Sequence, residues 1–296
     1  MVRALDAAVG LAAEVVPIKT SGDGRRSQEE RPGSRSSAPS DKSRFVREIE
    51  EALLGGEVDL AVHSAKDVPG TLPDGLVLVG APVAEDARDA LASRGASLNE
   101  LPAGARVGTS SLRRRSQLLA IRPDLEVVSL RGNVDTRLRK LTEGGYDAIV
   151  LALAGLRRLG REREASAIFD PSELVPAPGQ GILALEARTG DARVASAAQS
   201  ISDTASLVRL EAERAVMGAL DVSCHTPVGA YAELAEAELR VRAYVGLPDG
   251  SEWLTDQVRG DHEDPAGLGR LLAERMLAAG AAELLRRSEA AAGAPA

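Results

Sequence analysis

The feature that most constrains this chain is a doubled junction between Arg106 and Lys140. A short apolar run, Ala105–Val107, is followed by the cap-type run Thr109-Ser110-Ser111 and a helical pattern, and Leu125–Leu130 reads as a strand followed by Arg131-Gly132-Asn133 and a second helical pattern. Strands alternating with helices at this spacing predict βαβ units and an α/β fold. The stretch is also a charge island. It holds eight Arg and one Lys against Asp124, Glu126 and Asp135, a balance of +6 in a chain of net charge −8. Arg113 and Arg114 fall in a first helical turn, where free backbone N–H groups already favour an anion. Cations placed there call for a counter-anion, so the island predicts a pocket for several carboxylates or phosphates. Taken singly, each arginine reads as a solvated surface group, as most charge runs do; it is the set that calls for an anion.

Composition narrows the anion. Six aromatic residues in 296 give few stacking platforms for single-stranded nucleic acid, and the acidic net charge opposes general polyanion binding. One cysteine excludes an internal disulfide framework and fits a reducing compartment. The longest clean apolar run, Ala148–Leu156, is too short for a membrane span. The first residues, broken by Asp6 and Glu14, read as helix rather than signal peptide, which places the chain in the cytoplasm.

In chain order the patterns predict a helix over 2–13, a strand over 14–19, a mobile polar loop over 20–43 and a helix over 45–54. Strands are expected at 58–62, 75–81, 147–153 and 182–186. The 171–181 stretch reads as a Pro/Gly-rich linker, 204–220 as a helix, 228–234 and 239–245 as strands, and 268–287 as a closing helix.

Several residues invite chemistry. Asp67, beside Lys66 at the end of the 58–62 strand, is either a catalytic carboxylate or a turn stabiliser. Cys224, in the polar loop Ser223-Cys224-His225-Thr226-Pro227, is either an accessible nucleophile or an unreactive loop thiol. The three histidines share no metal-ligand spacing, and no nucleotide-binding glycine pattern is present, so neither metal nor nucleotide is expected.

Six segments in order carry a resemblance: His63-Ser-Ala-Lys-Asp-Val-Pro69, Gly108-Thr-Ser-Ser-Leu-Arg-Arg114, Leu130-Arg-Gly-Asn-Val-Asp-Thr-Arg137, Leu151-Ala-Leu-Ala-Gly-Leu-Arg-Arg158, Pro176-Ala-Pro-Gly-Gln-Gly181 and the Cys224 loop. Together they resemble the porphobilinogen deaminase, or hydroxymethylbilane synthase, family from about Val15 to the C-terminal helix. The resemblance implies two lobes like a type II periplasmic binding protein, one over 1–82 with 182–200 and one over 87–175, plus a smaller α+β C-terminal domain over 204–296.

It also implies a transferase of porphyrin and heme biosynthesis. Four porphobilinogen molecules are joined, with loss of ammonia, onto a dipyrromethane cofactor bound as a thioether to Cys224, and hydroxymethylbilane is released. Lys66, Thr109, Ser110, Ser111, Arg113, Arg114 and Arg131 would meet the cofactor, Arg137 and Arg158 the substrate, and Asp67 would be the catalytic acid. The only partner implied is the small-molecule substrate, with no nucleic acid or membrane, and the protein would be a monomer. Each pyrrole carries two carboxylates, which bidentate arginines suit. Loss of ammonia leaves an azafulvenium cation that one carboxylate can offset.

The sequence departs from the family at its start. The family pattern opens with a strand and a Thr-Arg-x-Ser-x-Leu-Ala motif, and this sequence begins after it, so the first lobe is expected to lack that strand and those ligands. The Gly-Gly-Lys-Gly loop is replaced by a stretch with Lys42, and Arg47 stands where lysine is common. These departures raise a second reading, an impaired homologue that binds pyrrole carboxylates without turnover. A third, a periplasmic anion binder, is opposed by Cys224 and the lack of a signal-peptide pattern.

Overall fold

Apolar runs punctuated by Gly, Pro and capping residues give short elements throughout. A computed structural model of the chain describes Leu5, Ala7, Gly10 and residues 13–18, 43–222, 226–236 and 238–293. Its elements are α1 (Ser43–Leu54), β1 (Ala61–Ser64), β2 (Leu76–Gly80), β3 (Asp89–Ser93), β4 (Arg106–Gly108), α2 (Leu112–Ile121), β5 (Glu126–Val128) and α3 (Val134–Thr142). They continue with β6 (Ala148–Ala152), α4 (Leu153–Arg158), β7 (Ala167–Ile168), β8 (Leu183–Arg188), α5 (Ala192–Ser200) and α6 (Thr204–Ala219). The last are β9 (Val228–Ala235), β10 (Glu238–Gly246), β11 (Trp253–Asp261), α7 (Pro265–Ala278) and α8 (Ala281–Gly293). The class is mixed α/β. The chain divides into two compact units, Met1–Ala84 with Ile182–Leu207, and Glu85–Gly181 with Val208–Ala296.

In the first unit, β8 lies between β1 and β2 and pairs antiparallel with both. Helix α1 turns its apolar stripe inward, burying Val46 and Leu53, and Leu53 packs with Ala61 and Leu76. A 3-10 turn, Ala65–Asp67, continues directly from β1 and carries Lys66 and Asp67.

The second unit holds two sheets. One has the order β5-β4-β6-β3-β7, with β4 parallel to both β5 and β6, and β3 antiparallel to β6 and β7. Apolar clusters cover both its faces, which is why β6 is an unbroken run, Ala-Ile-Val-Leu-Ala, rather than an alternating one. The other sheet is the meander β9-β10-β11, backed by α6, α7 and α8 through Ala212, Val216, Leu272 and Leu285.

The sheets are joined at α2. Ser116 Oγ donates to the Leu247 carbonyl at 2.6 Å and meets the Tyr244 hydroxyl at 2.8 Å. Gly250, at φ +73°, closes the expected hairpin turn. A Cβ there would come within 2.6 Å of the Ala120 nitrogen, so glycine is needed for both conformation and space.

Three expectations change. The strand expected over 14–19 is not formed by its described residues 14–18: Val15 and Val16 are exposed, and no described strand pairs with this segment. The closing helix is two helices, α7 and α8, broken at Gly280 with φ 104°. Strand β3 and helix α5 were not anticipated. The expected helix over 2–13 and the loop over 20–43 lie largely outside the described residues, as does Lys42.

Candidate anion-binding site

Parallel strands β4, β5 and β6 end at one edge of their sheet, and α2, α3 and α4 follow there. At the first junction, Thr109 N–H donates to the Val128 carbonyl at 2.9 Å, and Thr109 Oγ1 accepts from Ser111 N–H at 3.2 Å. Ser111 caps α2 by accepting from Arg114 N–H at 3.4 Å. At the second, Asn133 Oδ1 caps α3 by accepting from Thr136 N–H at 2.9 Å. The junctions are tied side by side, with Ser110 Oγ and Ser129 Oγ 2.9 Å apart. Thr109 is buried and Ser110 is exposed.

The structure supplies an internal counter-anion for the first-turn arginines. Asp89, fully buried at the head of β3, accepts from Arg114 Nε at 3.1 Å and Nη2 at 2.7 Å through Oδ1. Its Oδ2 lies 2.8 Å from Arg113 Nη1, a close ion contact. Arg113 Nη1 also donates to the Val175 carbonyl at 2.6 Å, and Arg114 Nη1 to the Val150 carbonyl at 3.0 Å. Burial by itself would raise the Asp89 carboxyl, but the two guanidiniums override it and hold the group far below the carboxylate range. Burial pulls Arg113 down, and Asp89 only partly restores it.

One carboxylate does not saturate this cluster. Arg113 Nε is buried without a hydrogen-bond partner among the described residues. Arg137, on α3, donates Nε–H to the Gly132 carbonyl at 2.7 Å and has no carboxylate partner among those residues. Burial, and next the like charge of Arg114, push its guanidinium down to about 10. A cation depressed by a neighbouring cation is a place where an added anion is stabilised.

Arg131 is exposed at the turn that precedes the Asn133 cap. Arg158 ends α4 and donates from Nη2 to the Gly181 carbonyl at 2.7 Å. Burial lowers it, with Glu85 opposing. Other arginines of the island serve local structure: Arg122 pairs with Asp124 at 2.7 Å and binds the Leu98 and Leu101 carbonyls, and Arg139 pairs with Glu143 at 2.7 Å. For Arg139 the surface-group reading holds, whereas Arg122 is largely covered and ties its own turn to the 98–101 segment.

Lys66 and Asp67 belong to the first unit, both half-buried. The Asp67 carboxylate makes no hydrogen bond or ion pair among the described residues, which leaves it available to a ligand. Strand β1, which leads into their turn, is anchored by His63, whose Nε2 lies 2.8 Å from Glu186 Oε2 in a fully buried pair. Burial, then the charge of Glu186, raises the Glu50 carboxyl beside that pair. Cys224 and His225 lie outside the described residues.

Sequence reasoning missed Asp89 and Gln180, which donates from Nε2 to Asp89 Oδ1 at 2.9 Å. The available signal was an aspartate opening a short apolar run, Asp89-Ala-Leu-Ala92. Asp is depleted in strands, and one facing a core needs a buried cation. No group of three or more metal-binding side chains occurs among the described residues, and no described helix is long and apolar enough to cross a membrane.

Two family descriptions match the chain: the porphobilinogen deaminase dipyrromethane cofactor binding domain over residues 1–196, and the porphobilinogen deaminase C-terminal domain over 207–278. Among curated relatives, the porphobilinogen deaminase of Roseiflexus sp. (strain RS-1) is 50% identical over 246 residues, covering 83% of this chain and 81% of the relative. That of Brevibacillus brevis is 47% identical over 254 residues, covering 84% and 82%. That of Campylobacter curvus is 43% identical over 283 residues, covering 95% and 89%. With both descriptions matched in order and identity this high over most of each relative, the chain belongs to the porphobilinogen deaminase family.

Proposed function

We propose that this chain is an active hydroxymethylbilane synthase, joining four porphobilinogen molecules on a covalent dipyrromethane and releasing hydroxymethylbilane and ammonia. The observation that carries the reading is Arg137, a partly buried guanidinium beside Arg114 with no carboxylate of its own among the described residues. With the orphaned Arg113 Nε and the hydroxyls of Thr109, Ser110 and Ser111, it makes a donor set suited to several carboxylates rather than to one phosphate.

That donor set fits a dipyrromethane, whose acetate and propionate arms are carboxylates. Cys224 would hold the group covalently, with Lys66, Thr109, Ser110, Ser111, Arg113, Arg114 and Arg131 meeting its carboxylates. When bound, dipyrromethane would supply the terminal pyrrole carbon to which the first monomer is joined, each later monomer adding to the pyrrole joined before it. Arg137 and Arg158 orient the carboxylates of incoming porphobilinogen. Asp67 accepts hydrogen bonds from pyrrole N–H groups, offsets the positive charge created as ammonia leaves, and assists protonation of the departing amine. Positioned acid–base groups of this kind contribute on the order of 10² to 10⁴ in rate.

On this reading the chain comprises two lobes like type II binding proteins, at 1–82 with 182–200 and at 87–175, and a C-terminal domain at 204–296. The same reading makes the protein a cytoplasmic monomer without nucleic-acid or membrane partners. Incubation with porphobilinogen tests the function: four ammonia molecules per bilane are expected. Retention of the cofactor without turnover would favour an impaired homologue instead.

A further inference from the structure

Asp89 has no role in the reaction as described, yet it is fully buried, accepts from Arg114 and Gln180, and makes an ion contact with Arg113. Arg113 and Arg114 are consecutive on α2, so their side chains leave the helix about 100° apart. One carboxylate reaches both because β3 places it by the first turn of α2, giving Oδ1 to one arginine and Oδ2 to the other. Each guanidinium then has a second anchor on a fixed carbonyl, Val175 or Val150. Gln180 donates to both Asp89 Oδ1 and the Ala87 carbonyl, tying the 176–181 segment to the same point.

We propose that Asp89 is the positioning residue of the anion site, fixing the orientation of Arg113 and Arg114 and setting the positive charge left for ligand carboxylates. The inference rests on the proposed role of those arginines. Arg113, Arg114 and Arg137 against one carboxylate leave two positive charges, so Asp89 permits burial of the pair without neutralising the site. A buried ion cluster is a weak device for stability alone, since packed apolar residues of similar volume commonly serve as well. Its distinctive contribution is orientation: two guanidiniums held in fixed planes lose little freedom when a dicarboxylate binds.

Asp89→Asn and Asp89→Glu in the full chain test this. Three quantities are read: the fraction of protein carrying covalent dipyrromethane by intact mass, KM against kcat for porphobilinogen, and the melting temperature. In the Asn variant, freed guanidiniums should lower cofactor occupancy to less than half and raise KM by up to about 10²-fold, the scale of an ångström-sized misplacement. Asp89→Glu keeps the charge but shifts the carboxylate by about one bond length. It should keep the cofactor and raise KM about 3- to 10-fold with kcat unchanged.

A lowered melting temperature with wild-type KM and occupancy in either variant would reduce Asp89 to a structural ion partner and overturn the proposal. If the Asn variant does not accumulate, the Glu variant decides. Failure of the wild-type protein to acquire the mass increment would instead overturn the functional reading itself, so the two failures are distinct.

Discussion

Glu213 gives a stability prediction whose size follows from its surroundings. Its side chain on α6 is buried, accepting from Gly179 N–H at 2.6 Å and Ala232 N–H at 2.8 Å. Burial pushes its carboxyl from 4.5 up to about 7; Arg209 and the two N–H groups only partly oppose it. The folded state therefore holds a proton that the unfolded chain releases near pH 4.5. This contribution is fully present below about 4.5 and is lost as pH rises through about 7.

The full difference corresponds to about 3 kcal/mol, of which about 2 kcal/mol should disappear between about pH 5.5 and about pH 8. Urea unfolding across that range, compared between wild type and Glu213→Gln, isolates the term because other titrating groups are shared. The variant should be less stable at low pH, since its amide offers an N–H to one of two N–H donors, but its pH slope should be shallower by about 2 kcal/mol over the range. Equal slopes in the two proteins would refute the reasoning.

Further outcomes follow from the geometry. Asp67→Asn should keep the covalent cofactor while kcat falls by about 10²- to 10⁴-fold, read by bilane formation. Arg137→Met should raise KM for porphobilinogen about tenfold or more with little loss of stability, because it removes a cation crowded by Arg114; KM should also become less sensitive to salt. Gly250→Ala should destabilise by about 2 kcal/mol or more in urea unfolding, from left-handed backbone combined with a clash at Ala120.

Much of this molecule is legible in the sequence where local chemistry decides. Cap residues Ser111 and Asn133 announce their helices, and Gly55-Gly56 ends α1 at the expected place. The α/β class follows from that alternation. What could not be read is pairing across long separations. Nothing local to Arg113 or Arg114 says that Asp89, more than twenty residues earlier, will supply their counter-charge. First-turn arginines call for a counter-charge, but nothing in their own segment says that a carboxylate of the protein supplies it. Residues 14–18 show the reverse error: Val-Val-Pro-Ile has strand propensity, yet a strand needs a hydrogen-bonded partner strand, and no described strand pairs with it. The break at Gly280 was overlooked because Ala-rich helical periodicity runs on either side of it.

The central claim is that guanidinium groups hold a carboxylate-rich pyrrole primer whose attachment is Cys224. Intact-mass measurement of the freshly purified protein, beside its Cys224→Ala variant, tests this most directly. The account predicts a dipyrromethane-sized increment on the wild type that maps to the peptide containing Cys224 and is missing from the variant. An unmodified mass for the wild type, or an increment that survives loss of the thiol, would contradict it.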